Sequence, residues 1–513
     1  MSRTGFAIKN TAAGVSSKVI TLVLSFVSRT IFIRLLGNEY LGINGLYSEV
    51  LSMLSFAELG FGSAMTFALY KPIAENDERT ASRLTEYYKK VYRIVAIVIA
   101  ALGVSLLPFL QYIVKGADSV TLRELRLYYL IFLFNTVVGY FVTYKYSVVN
   151  ASQKNYIVTN IDMVVHSATV IFQIISLLVF RDFLIYLITQ SLCLLLSRVF
   201  ISLYLNRRVP ILRVHCEEKL SREEKLPIFN NVRGLMVHQL SAIAVNSTDN
   251  IIISSFESMG VVTVGLVSNY NLIIKSVIDF VNILFSSVTA GLGNMVASDE
   301  TENYRKSFLE LNFMSFWIYG FCSIAFFVLI PPFITLWIGE ENLIDTVSFA
   351  LILVSVFLKG QMRTFTNARI AKGDFNRDKW WSLLEAVVNL VVSVIFASRF
   401  GLVGVYIGTV ASRAVNILTR PAFVYRFLFE RSCAEYYVRL AIYSLATAGA
   451  CALTWLAVSP ILSQVTVLRF LAAVCVTAVV PNAVFLILFF RADEFRSLVS
   501  RLRSLLSQRR KKG

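Results

Sequence analysis

Long apolar stretches alternate with short polar connections along almost the whole chain. Residues 94–114 and 440–458, for example, contain no Asp, Glu, Lys or Arg. A helix needs roughly 20 apolar residues to cross the hydrocarbon layer of a bilayer, whereas the apolar stretches of soluble proteins are usually shorter. The strict alternation that is typical of outer-membrane strands is missing. The pattern therefore predicts an all-α integral membrane protein.

We predict fourteen transmembrane helices, called spans 1 to 14 below. Their expected bounds are 14–36, 41–69, 91–115, 122–150, 157–180, 183–205, 228–256, 260–290, 308–338, 343–370, 380–399, 402–428, 437–459 and 466–490. Most connections after odd-numbered spans are short and poor in Lys and Arg, whereas most of those after even-numbered spans are longer and basic. The connection that holds Lys115, Arg123 and Arg126 is an exception. By the positive-inside rule both termini are expected in the cytoplasm of a bacterial cell, which an even number of spans allows.

Composition supports the membrane assignment and argues against most enzyme classes. Hydrophobic residues make up 56% of the chain and charged residues 16%, with a net charge of +17. The basic residues concentrate in the connections, so a nucleic-acid partner is not expected. The six cysteines are dispersed, and no phosphate-binding loop, HExxH or GxSxG motif occurs. We expect no enzyme activity and no cofactor, with Na⁺ or H⁺ as the candidate coupling ion.

A weak internal repeat runs through the chain. The matched positions are Gly14 with Gly234, Lys18 with His238, Arg29 with Asp249, Leu41-Gly42 with Val264-Gly265, and Gly60-Phe61-Gly62 with Gly291-Leu292-Gly293. Six spans separate the two copies, so both cross the membrane in the same direction. A parallel repeat implies two pseudo-symmetric lobes of six helices around a central cavity.

The repeat suggests a division into five parts. We predict an N-lobe at 1–205, a cytoplasmic linker at 206–227, a C-lobe at 228–428, two additional helices at 429–490 and a basic tail at 491–513. Apolar and basic residues alternate in that tail in the pattern of an amphipathic helix. Such a helix is expected to lie on the anionic cytoplasmic leaflet, with docking to a partner as the alternative.

Ionisable residues inside the spans are the candidate functional groups, because a charge in the bilayer usually faces a partner or water. Span 1 carries Lys18 and Arg29 on nearly one face, and His238 and Asp249 share a face of span 7. We expect these two faces to meet across the cavity, with Asp249 as a gating counter-ion of Arg29. His238 is also compatible with simple packing.

The remaining candidates lie on spans 2, 8 and 10. Lys275 and Asp279 are four residues apart in span 8 and are able to neutralise each other. Lys359 and Arg363 have the same spacing in span 10, but they are like charges and cannot. Glu58 is a further gating candidate, and Asn44 adds a polar group to the substrate site. A cavity lined by such cations suits a strongly anionic ligand, although Lys18 and Lys275 are also near enough to helix ends to snorkel.

Several segments resemble the Wzx-type polysaccharide transporters, the oligosaccharide-flippase branch of the multidrug/oligosaccharidyl-lipid/polysaccharide (MOP) exporter superfamily. They are 28–33 (SRTIFI), 36–47 (LGNEYLGINGLY), 57–64 (AELGFGSA), 69–72 (LYKP) and 247–254 (STDNIIIS). The resemblance implies a flippase in the inner membrane that moves undecaprenyl-diphosphate-linked oligosaccharide repeat units by alternating access. In related lipid II flippases an arginine of the first helix is associated with the pyrophosphate, and Arg29 is the corresponding residue here.

Other functions remain open at the level of the sequence. A lipid II-type flippase and a drug/cation antiporter belong to the same superfamily, although an antiporter would favour intramembrane carboxylates over cations. From the enzyme class, a membrane glycosyltransferase or polymerase of the same pathway would need large loops or a carboxylate cluster. We expect a monomer whose partners are the lipid-linked oligosaccharide and the bilayer, with the polymerase and glycosyltransferases of the pathway as further candidates.

Overall fold

The computed structural model describes residues 3–58, 61–213, 216, 218, 220–226, 228, 240, 243, 247–297, 301–372 and 379–510. Over these ranges the chain forms helices and connections, with no β-strand. The helices are α1 (Arg3–Leu54), α2 (Phe61–Ala74), α3 (Glu78–Ser105), α4 (Leu110–Ile113), α5 (Leu122–Ala151), α6 (Asn155–Phe180), α7 (Phe183–Arg208), α8 (Asp249–Ser255), α9 (Gly260–Ala297), α10 (Thr301–Ile338), α11 (Thr346–Gln361), α12 (Arg363–Lys372), α13 (Lys379–Phe400), α14 (Leu402–Val424), α15 (Ala434–Val458), α16 (Val467–Phe489) and α17 (Asp493–Arg510). The predicted all-α class is confirmed.

Twelve helices in the described ranges are long and apolar enough to cross a membrane, so the predicted count of fourteen is not confirmed. Predicted span 1 and the first part of predicted span 2 fall in one apolar stretch, Ser16–Leu54. Its 39 residues would rise about 58 Å, nearly twice the thickness of the hydrocarbon layer. The helix is interrupted at Gly37 (φ 83°, ψ −177°), a conformation that essentially requires glycine. Predicted span 7 lies largely outside the described residues.

Residues with positive φ recur at the connections that follow odd-numbered predicted spans. They form pairs that are 223, 223 and 220 positions apart, namely Gly37 and Gly260, Gly116 and Gly339, and Arg181 and Gly401. A left-handed backbone residue is uncommon outside tight turns. The recurrence of such residues at a nearly constant offset is the pattern expected from the predicted parallel repeat of six spans.

Two of the matched glycines take part in a reciprocal contact between α1 and α9. A side chain at Gly42 would lie 1.7 Å from the Val261 carbonyl oxygen, and one at Gly265 would lie 2.3 Å from the carbonyl oxygen of Asn38. Val261 is 223 positions after Asn38, just as Gly265 is after Gly42. The two contacts are therefore equivalent under the repeat, and each requires a residue without a side chain.

The chain divides into two compact units, residues 1–268 (unit 1) and 269–513 (unit 2). In unit 1, α6 packs on α1 and α7, and α3 on α5, around buried tyrosines such as Tyr47, Tyr92 and Tyr129. In unit 2, α13 and α14 form the most extensively packed helix pair, and Phe316 stacks on Tyr443 at 4.1 Å between α10 and α15. The five predicted domain boundaries stay a prediction.

The C-terminal helix α17 packs against other helices of unit 2. The Phe495 ring stacks on Trp317 of α10 with a centroid distance of 5.7 Å. Arg501 Nη2 lies 2.9 Å from an oxygen of the buried Glu310 carboxylate, which also accepts a hydrogen bond from Ser497. The first part of α17 therefore contacts protein through Phe495, Ser497 and Arg501, where the sequence led us to expect a lipid surface.

Candidate functional site

Arg29 projects from α1 into a polar contact inside unit 1. Its Nη1 donates a hydrogen bond of 2.7 Å to Ser268 Oγ of α9, and Tyr186 of α7 lies close enough to interact with it electrostatically. Tyr186 is buried and packs edge-on against Phe32, one turn from Arg29 on the same helix. The Ser268 hydroxyl and the Tyr186 ring therefore both help to position the guanidinium. Sequence reasoning identified Arg29 but not Ser268.

The other predicted residues of unit 1 have different surroundings. Lys18 is exposed on α1, and Asn44 is half-buried. Asp249 is the first residue of α8 and is half-buried, whereas His238 lies outside the described residues. The pairing of Asp249 with Arg29 stays a prediction.

Glu58 lies at the end of a short 3₁₀ turn after α1, where two tyrosines contact it. Its Oε1 accepts a hydrogen bond of 3.2 Å from the Tyr92 hydroxyl, and Tyr140 provides a second hydrogen bond. The two rings, from α3 and α5, stack at 6.3 Å. Gly62 leaves room for the Tyr92 hydroxyl, which would lie 3.2 Å from an added Cβ. The predicted gating role of Glu58 stays a prediction.

In unit 2 the predicted span 10 is interrupted at Met362, between its two cations. Helix α11 ends at Gln361, and α12 begins at Arg363. The carbonyl of Gly360 accepts a hydrogen bond of 2.7 Å from Ser315 Oγ of α10, and Asn312 Nδ2 lies 3.5 Å from the carbonyl of Gln361. Backbone groups inside a membrane that lack a helical partner need such contacts. Lys359 and Arg363 therefore lie on either side of this interruption.

Lys359 lies at the centre of a group of charged residues. It is within electrostatic range of Lys275, Arg363 and Arg413, and of one carboxylate, Glu385. The Lys359 and Lys275 side chains are exposed, and Arg363 is half-buried. Cations therefore outnumber carboxylates around Lys359, which is the arrangement that binds phosphate oxygens. The predicted pairing of Lys275 with Asp279 stays a prediction.

Glu385 belongs to a buried ion network that sequence reasoning missed. Its carboxylate accepts hydrogen bonds from Arg413 Nη1 at 2.9 Å and Asn416 Nδ2 at 3.1 Å, and Arg420 Nη2 lies at 3.5 Å. Arg420 also donates to Thr366 Oγ1 of α12. Glu385 and Arg413 lie inside apolar stretches, so the rule that selected Arg29 could have identified them as well.

An apolar groove opens on unit 2 between α10, α11 and α15. Its volume is about 580 Å³. Most of its walls are apolar side chains, among them Leu353, Phe357 and Trp455, with Ser323, Ser444 and Thr447 as the hydroxyl-bearing exceptions. Such a groove suits a hydrocarbon chain. Among the described residues, no group of three or more His, Cys, Asp or Glu could hold a metal ion.

The number of long apolar helices defines a multi-pass membrane protein. Residues 7–292 match the family described as polysaccharide biosynthesis protein, and the chain belongs to that family. The resemblance to Wzx-type transporters of the MOP superfamily is thereby confirmed. A comparison with curated proteins finds no match.

Solved structures of MOP-superfamily transporters share the fold. The lipid II flippase MurJ in an inward closed conformation superposes with a TM-score of 0.65 at 15% identity, over 96% of this chain and 99% of that one. An inward-facing multidrug resistance MATE-family transporter superposes with a TM-score of 0.61 at 16% identity, over 82% of this chain and 99% of that one. A Vibrio cholerae MATE transporter superposes with a TM-score of 0.57 at 14% identity, over 83% of this chain and 99% of that one. At these identities the likeness shows the fold alone.

Proposed function

We propose that the protein is a flippase that moves undecaprenyl-diphosphate-linked oligosaccharide repeat units across the bacterial cytoplasmic membrane by alternating access, for the assembly of a cell-surface polysaccharide. Both termini would lie in the cytoplasm, and Na⁺ or H⁺ would be the coupling ion. Membership of the polysaccharide biosynthesis family and the shared transporter fold support this class of function.

The excess of positive charge among the membrane helices is the observation that favours an anionic substrate. Lys359 lies within electrostatic range of Lys275, Arg363 and Arg413 as well as of Glu385, and Arg29 donates a hydrogen bond to Ser268. A diphosphate is a doubly charged or more highly charged anion, and Arg binds its oxygens through paired N–H donors. An exporter of organic cations would need the opposite excess of charge.

The apolar groove of unit 2 supports a lipid-linked substrate. A polyprenyl tail has no polar group to satisfy, and burial of apolar surface contributes about 25 cal/mol for each Å². The groove is lined largely by apolar side chains of α10, α11 and α15. A substrate with an anionic head and a hydrocarbon tail would therefore have cationic residues for its head and an apolar groove for its tail.

Translocation of fluorescent undecaprenyl-diphosphate oligosaccharide in proteoliposomes tests the proposal. We expect transport by the native chain, loss of transport for Arg29→Ala, and partial retention for Arg29→Lys, which keeps the charge but not the paired donors. Fluorescence-detected gel filtration would establish that each variant is folded. Export of organic cations without movement of lipid-linked sugar would overturn the proposal in favour of an antiporter.

A further inference from the structure

Helix α6 carries a stripe of polar residues that sequence analysis did not identify. The stripe consists of Thr159, Asp162, His166, Thr169, Gln173 and Ser176. The successive spacings are three, four, three, four and three residues, so all six lie on one helix face. From first to last the stripe rises about 26 Å, close to the thickness of the hydrocarbon layer.

The opposite face of α6 is apolar and exposed. Val164, Ile171, Ile175 and Leu178 are 47% to 62% exposed, and they lie about 180° around the helix from the stripe. In a membrane helix such a face contacts lipid. The polar stripe therefore points away from lipid and into unit 1, where α6 packs on α1 and α7.

The stripe is accompanied by polar groups of neighbouring helices at both ends. Near its start, the Tyr146 hydroxyl of α5 lies 3.3 Å from Asp162 Oδ1 and accepts a hydrogen bond of 2.7 Å from Arg198 Nη1 of α7. Near its end, the buried Gln173 lies close enough to Tyr186, the residue beside Arg29, to interact with it. An arginine is thus associated with each end of the stripe.

Two members of the stripe are open to a ligand. Asp162 and His166 are exposed although they point away from the lipid-facing side, and Thr169 is half-exposed. Glycan hydroxyls lose water when they enter the hydrocarbon layer, and each unpaired hydroxyl costs a few kcal/mol. Carboxylate, imidazole, hydroxyl and amide groups together supply both donors and acceptors for them.

We propose that this stripe is the glycan-binding surface of the transporter, on which Asp162, His166 and Thr169 contact sugar hydroxyls while the diphosphate stays with the arginines. The inference rests on the proposed flippase function and adds the path of the sugar to it. These residues would determine specificity for the glycan, whereas Arg29 would bind the diphosphate whatever sugar it carries.

The test compares two probes in proteoliposomes: undecaprenyl diphosphate that carries a short oligosaccharide, and undecaprenyl diphosphate without sugar. The variant His166→Leu/Thr169→Leu removes two polar groups from the exposed part of the stripe. We expect it to lower transport of the glycan-bearing probe about tenfold or more, which corresponds to about 1.4 kcal/mol, and to leave transport of the sugar-free probe unchanged. Arg29→Ala should lower transport of both probes.

The matched control is Asn160→Leu, the same kind of change on the opposite face of α6. Should the double variant not fold, Thr169→Val is nearly isosteric and should cause a smaller loss of about threefold, and His166→Asn should restore polar contacts. Equal effects on both probes, or an equal effect of Asn160→Leu, would overturn the glycan stripe alone. A native chain that moves neither probe would overturn the flippase function and the stripe together.

Discussion

Removal of Glu385 should destabilise unit 2 more than removal of any exposed acid. The Glu385 and Arg413 side chains are 7% and 11% exposed, and Asn416 and Arg420 complete the network. Glu385→Ala would leave two arginines buried without this carboxylate. Removal of one partner of a buried ion pair lowers the free energy of unfolding by about 3–5 kcal/mol, because the remaining charge stays buried without its counter-ion.

The matched control is Glu435→Ala in the same unit. Glu435 pairs with Arg439 at 2.9 Å and Arg305 at 3.6 Å, but its side chain is 40% exposed. Pairs at the surface contribute about 0–1 kcal/mol. The contrast between the two acids therefore isolates the effect of burial.

Thermal unfolding in detergent, followed by tryptophan fluorescence, measures the difference. All five tryptophans lie in unit 2, so the signal reports on that unit. With about 2–4 °C of Tm for each kcal/mol in a unit of this size, we expect Glu385→Ala to lose roughly 6–20 °C. Glu385→Leu/Arg413→Leu should recover part of the loss, because it leaves one fewer buried charge. A loss no larger than that of Glu435→Ala would refute the reasoning.

Two further predictions concern helix packing. Gly42→Ala should cost at least about 1–3 kcal/mol and reduce the yield of folded protein on gel filtration, because its Cβ would overlap the carbonyl of Val261. As a control, Gly139→Ala has nothing within 4 Å of its new Cβ and should be neutral or stabilise the protein by up to about 1 kcal/mol. Equal losses for both variants would contradict the close contact between Gly42 and the Val261 carbonyl. Phe495→Ala should cost about 2 kcal/mol, roughly half of the value for a fully buried ring, and make α17 more sensitive to limited proteolysis. Unchanged cleavage would mean that α17 is not held by this stacking contact.

The amino-acid pattern by itself determined the class of fold and most helix positions. Predicted spans such as 157–180 and 380–399 lie within two residues of the helices Asn155–Phe180 and Lys379–Phe400. The reason is that a bilayer offers the backbone no hydrogen-bond partners, so an apolar stretch of sufficient length has to be helical. The polar stripe of α6 obeys a simple helical period and could have been found in the same way.

Only the tertiary structure decided which groups meet. Arg29 and Ser268 are 239 positions apart, and Arg501 and Glu310 are 191 apart, so no local pattern relates them. The carbonyls of Gly360 and Gln361 likewise meet Ser315 and Asn312, which belong to another helix. Hydropathy determines whether a helix enters the membrane, but its partners depend on close packing and on polar groups that only neighbouring helices supply.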